Sequence, residues 1–354
     1  MTLWRTWHRP LVLFSAAMAV LTVLCAVGAV VDDRVLVGAR IWFKPLKFAL
    51  SFVAYGMSLA WMLSLLDRGR RVGWWAGTVV VAASTVEMVL ITWQVVRGRR
   101  SHFNNETPFD SALFDAMAVT VVVLWLGTLV IAVLLLRARI LDRAAAWAVR
   151  CGIVVALAGA AVGFLMTRPA PGQVRGESPV VGAHSVGVPD GGPSMPVTGW
   201  STTGGDLRVP HFFGMHALQL LPLALVVLTV LAPRMVRLRD ERVRLRLVLV
   251  ASGTYAALFA LLTWQALRGR PLIHPDGATL TAVGVIACAA VAGTYGALRG
   301  GSGPPSGPDR GAGGQKVERA AGGAVAGGAA SERAATGGAA AGRAAAGQEV
   351  EVVS

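Results

Sequence analysis

The sequence predicts an all-α protein, a polytopic transmembrane bundle of about eight helices, and three observations carry that prediction. Apolar runs of about 20 residues recur along the chain, long enough to cross a hydrocarbon core of ~30 Å as helices, which satisfy their own backbone groups in lipid. Of the 354 residues, 55% are hydrophobic and only 15% are charged, whereas a soluble domain carries roughly 25% charged residues. The arginines stand in short clusters between the apolar runs, the pattern of loops flanking membrane spans. That clustering also argues against nucleic acid as the partner of a chain whose formal charge is +14. The partner is instead a lipid bilayer.

The runs fall at about 11–31, 45–66, 73–96, 112–136, 144–167, 211–232, 246–267 and 279–298. The first follows MTLWRTWHRP, the charge-then-apolar order of a signal peptide. It is too long for a signal h-region, and Leu24 before Cys25 does not suit a lipobox, so it reads as an uncleaved span. The second opens at Trp42-Phe43-Lys44-Pro45, with Pro45 in its first turn. The third ends in Thr92-Trp93-Gln94-Val95-Val96-Arg97-Gly98-Arg99. A polar segment, Ser101 to Asp110, leads into the fourth. The fifth is followed by a long connection, 168–210, with seven prolines and nine glycines. By composition its first half, 168–188, reads as disordered, and Trp200–Pro210 is expected to pack over the bundle. The sixth run opens with GGDLRVPHFFGMHALQL, the most chemically loaded stretch of the chain. The seventh ends in Thr263-Trp264-Gln265-Ala266-Leu267-Arg268-Gly269-Arg270, and His274-Pro275-Asp276 precedes the eighth. Residues 1–298 thus form one membrane domain. The Gly/Ala-rich tail, 299–354, is expected to be disordered and cytoplasmic.

With the N-terminus inside, the inner segments hold 15 arginines and the outer ones 12 arginines and lysines. The positive-inside rule therefore predicts a plasma-membrane protein with both termini cytoplasmic. Five of the six histidines (His102, His184, His211, His216 and His274) then fall outside. The third and seventh span ends match at six of eight positions, and Thr92 and Thr263 are 171 residues apart. With Arg40 and Ala49-Leu50 echoed by Arg208 and Ala217-Leu218, this suggests two parallel four-helix repeats.

The phrases WFKPLKFALS, RGRRSHFNNETPF and GGDLRVPHFFGMHALQLLP resemble a group of uncharacterised bacterial multipass membrane proteins, over roughly residues 40–270. The resemblance implies the class and no activity, cofactor or substrate.

The candidate site faces outward and gathers Glu87, Gln94, Arg97, His102, Asp115, Arg208, His211, His216, Gln219, Gln265 and Arg268. Glu87 lies about nine residues from the end of its span, ~13 Å deep by helical rise. A carboxylate there must be protonated, paired or facing a wet cavity, which makes it the candidate proton-coupling group. Arg97, Arg208 and Arg268 would attract a small polar or anionic solute, with His216 and Gln219 touching it. Lys44 and Lys47 start the second span and Asp110 and Asp115 the fourth; a Lys47–Asp115 pair would close the bundle near the surface or line an anion or proton entry. A second possibility is an oxidoreductase whose haem or metal is held by two of His102, His211, His216 and His274. His211 and His216, five residues apart, cannot grip one ion together on a regular helix. The third possibility is a structural or sensory protein. Cys25, Cys151 and Cys288 lie in apolar runs and read as buried small side chains, not as a metal set. Motifs for nucleotide hydrolysis are missing from the sequence.

Overall fold

The structure is a computed structural model that describes residues 7–174 and 176–300. The Gly/Ala-rich tail from residue 301 lies outside the described residues. Eight helices long and apolar enough to span a membrane make up the described chain. They are α1 (Arg9–Val31), α2 (Phe43–Ser64), α3 (Arg70–Val96), α4 (Pro108–Arg137), α5 (Arg143–Met166), α6 (Arg208–Leu231), α7 (Glu241–Leu267) and α8 (Gly277–Arg299). A short 3-10 helix, Val236–Arg239, joins α6 to α7. Several helices begin earlier than their apolar runs, because polar caps extend them beyond the hydrocarbon-like core. Thr107, Asp142 and Asp276 each accept a backbone N–H three residues on, and Asp240 accepts one from Arg242. Such caps satisfy donors that the first turn leaves unpaired.

Sheet among the described residues is confined to two small antiparallel hairpins. One pairs β1 (Val35–Leu36) with β2 (Ala39–Arg40) between α1 and α2. The other pairs β3 (Ser185–Val186) with β4 (Gly205–Asp206) between α5 and α6. Helix packing has the same order in each half: α1 on α2, α2 on α3, α3 on α4 and α1 on α3, then α5 on α6, α6 on α7, α7 on α8 and α5 on α7. The halves meet through α4 with α5 and α2 with α6. The closest crossing is α5 with α6, where Gly159 and Gly214 face each other. A Cβ on Gly159 would stand 2.6 Å from the Gly214 Cα. In lipid, where helices gain little from hydrophobic burial, such small-residue contacts are a main source of helix association.

The connections α1–α2, α3–α4, α5–α6 and α7–α8 gather at one end of the bundle. The long α5–α6 connection is not the free segment its proline and glycine content suggests. Gln173 Oε1 accepts the N–H groups of Ala170 and Gly182, at 2.9 and 2.7 Å, and its Nε2 donates to the Gly182 carbonyl. The same connection hydrogen-bonds to the α3–α4 loop through Asn105 N to Pro179 O and Val181 N to Phe103 O. These side-chain and inter-loop bonds replace the helix or sheet ladder that composition rules out. The expected packing of Trp200–Pro210 is found in β4, whose Gly205 lies against the Ala266 carbonyl of α7.

Candidate functional site

Where the connections gather they enclose a cavity of about 150 Å³. Its walls are the β1–β2 hairpin, the first turns of α2 and α6, residues 99–103 and residues 184–201. Six basic side chains line it: Arg40, Lys44, Lys47, Arg99, Arg100 and Arg208. Asp190 is the one carboxylate among its described lining residues. Three of the six are neutralised from outside the cavity. Arg40 pairs with Asp33 at 3.0 Å, Arg99 with Glu106 at 2.5 Å, and Arg208 with the buried Asp206 at 2.7 Å. Lys47 donates only to the Val197 and Thr198 carbonyls. Lys44 has the His102 Nδ1 at 3.1 Å. The Arg100 guanidinium makes no hydrogen bond or ion pair with any described residue.

Beneath the cavity lies the deep carboxylate. Glu87 is 2% exposed, on the face of α3 turned to α4. Thr120 donates to its Oε2 at 2.9 Å. Its Oε1 lies 3.3 Å from His102 Nε2, at ion-pair distance but without an aligned hydrogen bond. His102 therefore stands between Glu87 on one nitrogen and Lys44 on the other. Phe48, Phe103 and Phe114 surround its ring. Burial holds the His102 imidazole below its ordinary range, the Lys44 charge pushes the same way, and Glu87 opposes both.

A second imidazole, His184, meets the Phe103 ring edge-to-face, with ring centroids 4.9 Å apart. Its Nδ1 lies 2.9 Å from Asp190 Oδ2, and the same carboxylate accepts the backbone N–H groups of His184 and Ser185. Burial lowers His184 from 6.5 to about 4 despite Asp190. Burial opposes ionisation of Asp190, but these bonds hold it well below the usual carboxylate range. Phe103 reaches its place between the imidazoles in a left-handed conformation, φ +63°, rare for a non-glycine residue. Gly182 makes the room, since a Cβ there would stand 2.6 Å from the Phe103 ring.

The structure brings together Glu87, His102 and Arg208 of the expected set at one cavity, sets His211 within electrostatic reach of His102, and places the others elsewhere. Gln94 and Arg97 serve the α3–α4 corner. Gln94 donates to the Arg100 carbonyl and to Asp110, and Arg97 pairs with Asp110 at 2.5 Å. Gln265 and Arg268 do the same at the α7–α8 corner, donating to the Pro271 carbonyl at 2.7 Å and pairing with Asp276 at 2.6 Å. Arg97 and Arg268 also lie over the rings of Phe109 and Trp264. Both corners turn through the same cap. Gly98 and Gly269 have φ near +70°, Gly98 N bonds Val95 O, and Arg99 N bonds Gln94 O. Gly269 with Ala266 and Arg270 with Gln265 repeat the pattern. This is the Schellman arrangement, in which a left-handed glycine lets two N–H groups close the helix end. The Lys47–Asp115 pair is not formed: Asp115 is exposed, and Lys47 turns to the 197–198 carbonyls.

The histidines proposed as ligands engage separate partners. His211 Nδ1 lies 2.9 Å from the Gly159 carbonyl and His216 Nδ1 lies 3.3 Å from Gln219 Oε1. His274 is exposed at the far corner. Among the described residues no three His, Cys, Asp or Glu side chains are arranged to hold a metal ion. The three cysteines are unpaired, Cys25 buried and Cys288 exposed. Arg100, Phe103 and Asp190 are the members of the cavity that pattern reading overlooked. Arg100 stands in the run RGRR, and that its guanidinium meets no described partner is visible only in three dimensions. Compared with known proteins, the chain matches no family model, no curated protein and no solved structure.

Proposed function

We propose that this membrane protein binds a small anionic solute in the cavity above Glu87, as the receiving site of a binding or translocation function. The observation that carries this reading is the charge imbalance. Lys44, Lys47 and Arg100 face one recess without a carboxylate partner within 4.0 Å among the described residues. Like charges held together in a recess focus a positive potential and attract an anion. A guanidinium that bonds no described residue, beside two ammonium groups, suits oxyanions such as phosphate, sulfate or a carboxylate. The cavity opens to the outer face of a bacterial plasma membrane in this reading, with both ends of the chain inside. Its support is the excess of arginine at the opposite end of the bundle.

The reading includes an ancestral duplication, α1–α4 with α5–α8. It is supported by the matched order of helix packing, the hairpin between the first and second helix of each half, and the two identical corner caps. Calorimetric titration of detergent-purified protein with sulfate tests the function. The expected result is saturable binding with about one site, weakening as salt is raised because the site is electrostatic. Accumulation of labelled sulfate by proteoliposomes would extend binding to translocation. No heat and no uptake with sulfate, phosphate or a small dicarboxylate would overturn the reading.

A further inference from the structure

Resting on that reading, we propose that the anion is bound together with a proton, taken up by the His102–Glu87 pair at the floor of the cavity. The argument starts from one positive charge with two claimants. Lys44 reaches the cavity with its ammonium group and reaches Glu87 only through the His102 ring, by 3.1 Å on one side and 3.3 Å on the other. Before an anion arrives the ammonium donates to Nδ1, and the Nε2 proton faces the carboxylate. Lys44 thereby compensates Glu87 through a neutral imidazole. An anion in the cavity draws the Lys44 ammonium to itself. Nδ1 then loses its donor, and Glu87, 2% exposed, loses its compensating charge. A buried carboxylate without a counter-charge is costly. A proton from water added to Nδ1 resolves both deficits. It makes an imidazolium that pairs with Glu87 through Nε2 and offers Nδ1–H towards the anion. The step moves one proton, breaks no covalent bond in the protein or the anion and needs no further reactant.

The surroundings favour this pair as the acceptor. Glu87 Oε2 already has Thr120 of α4, while Oε1 is buried and lacks an aligned donor, so an imidazolium at Nε2 would supply the missing partner. Ser101 Oγ lies 3.3 Å from Nδ1 and can turn to accept from it. The other charged groups act on the Lys44 end of this contact: Lys47 of α2, Arg100 of the α3–α4 loop and Arg208 of α6. All are cationic; Arg208 is already paired with Asp206, while Lys47 and Arg100 disfavour added positive charge until an anion neutralises them. His211 of α6 also faces His102 but is held by the Gly159 carbonyl. His184 and Asp190 form a separate pair beside Phe103 and, with the Lys44 and Lys47 amines, are the competing places for a proton.

The test is sulfate binding to the full-length, detergent-purified chain, measured by calorimetry above neutral pH in two buffers of different ionisation enthalpy. Sulfate carries no proton of its own there. The expected result is about one proton taken up per sulfate, with affinity falling about tenfold for each pH unit above neutrality. In Glu87→Gln and in His102→Gln, sulfate still binds, but proton uptake is lost and affinity becomes flat with pH. In His184→Gln the uptake persists. Two isosteric changes on different elements guard against one variant that fails to fold. Sulfate binding without proton uptake in the wild type would overturn the inference and leave the anion site standing. Uptake that survives in both Glu87→Gln and His102→Gln, or vanishes in His184→Gln, would also overturn it. No sulfate binding in the wild type would remove the anion site and this inference together.

Discussion

The α3–α4 and α7–α8 corners are built from nearly the same eight residues and do different work. Each has Thr-Trp-Gln, an arginine, a left-handed glycine and a second arginine. In each, the glutamine holds the backbone six residues on, and the first arginine meets an aspartate from the start of the next helix. The corners differ in what lies beneath and beside them. Upstream of Trp93 and Gln94 the first half carries a deep carboxylate, Glu87, and the position 171 residues on holds Leu258. The first corner borders the cavity through Arg99, Arg100 and His102, and the second presents the exposed His274. The shared glutamines and first arginines tie the corners, and the residues without a counterpart line the cavity or lie beneath it. Arg97, Arg268, Gln94 and Gln265 belong to the first group; Glu87, Lys44, His102 and Arg100 belong to the second.

Removing equivalent scaffold residues sharpens the contrast. The largest effect is expected from Arg97→Met, which leaves Asp110, with no exposed surface, without its cation. Stranding a buried charge costs about 3 kcal/mol or more, so a marked drop in melting temperature in detergent should follow. Arg268→Met removes a partner from an exposed pair and should lower the melting point far less. Equal losses at the two corners would break the comparison. Next in size, Gln94→Leu should destabilise more than Gln265→Leu. Gln94 serves both a carbonyl and Asp110, while Gln265 serves one carbonyl, and each such bond contributes about 1 kcal/mol.

The smallest effect is local and set by pH. His184 is held at about 4 against an ordinary 6.5, so an unfolded loop accepts a proton that the folded loop refuses. The stabilisation from this histidine is complete above pH 6.5 and declines as pH falls towards 4. Asp190, also held low, extends the decline to more acid conditions. Protease cleavage within the α5–α6 connection should therefore accelerate on acidification through that window. His184→Gln should flatten the rise while leaving cleavage elsewhere unchanged.

The spans were legible because an apolar run of about 20 residues has few other physical outcomes. Their starts were less so, since capped polar turns such as Thr107–Asp110 belong to the helix but not to the apolar run. Glu87 stood out as a charge inside such a run, and the two TWQ ends stood out as a repeat. What the repeat does was hidden. A glutamine and an arginine beside an interface read equally well as ligands for a solute or as ties for a corner, and only the position of Asp110 and Asp276 decides. The Lys44–His102–Glu87 contact joins three separate elements, so no local pattern announces it. The long connection misled by composition, because Gln173 and the Phe103–Asn105 backbone hold it in a way that proline and glycine content does not encode.

The most direct test of the account compares charge removal at the cavity with charge removal at the second corner. Sulfate affinity would be measured by calorimetry for wild type, for Lys44→Met combined with Arg100→Gln, and for Arg268→Gln. The account predicts a loss of about a hundredfold or more for the double variant, the scale of two charge-assisted hydrogen bonds. It predicts no change for Arg268→Gln. Unchanged affinity in the double variant, or an equal loss in Arg268→Gln, would contradict the division between scaffold and site.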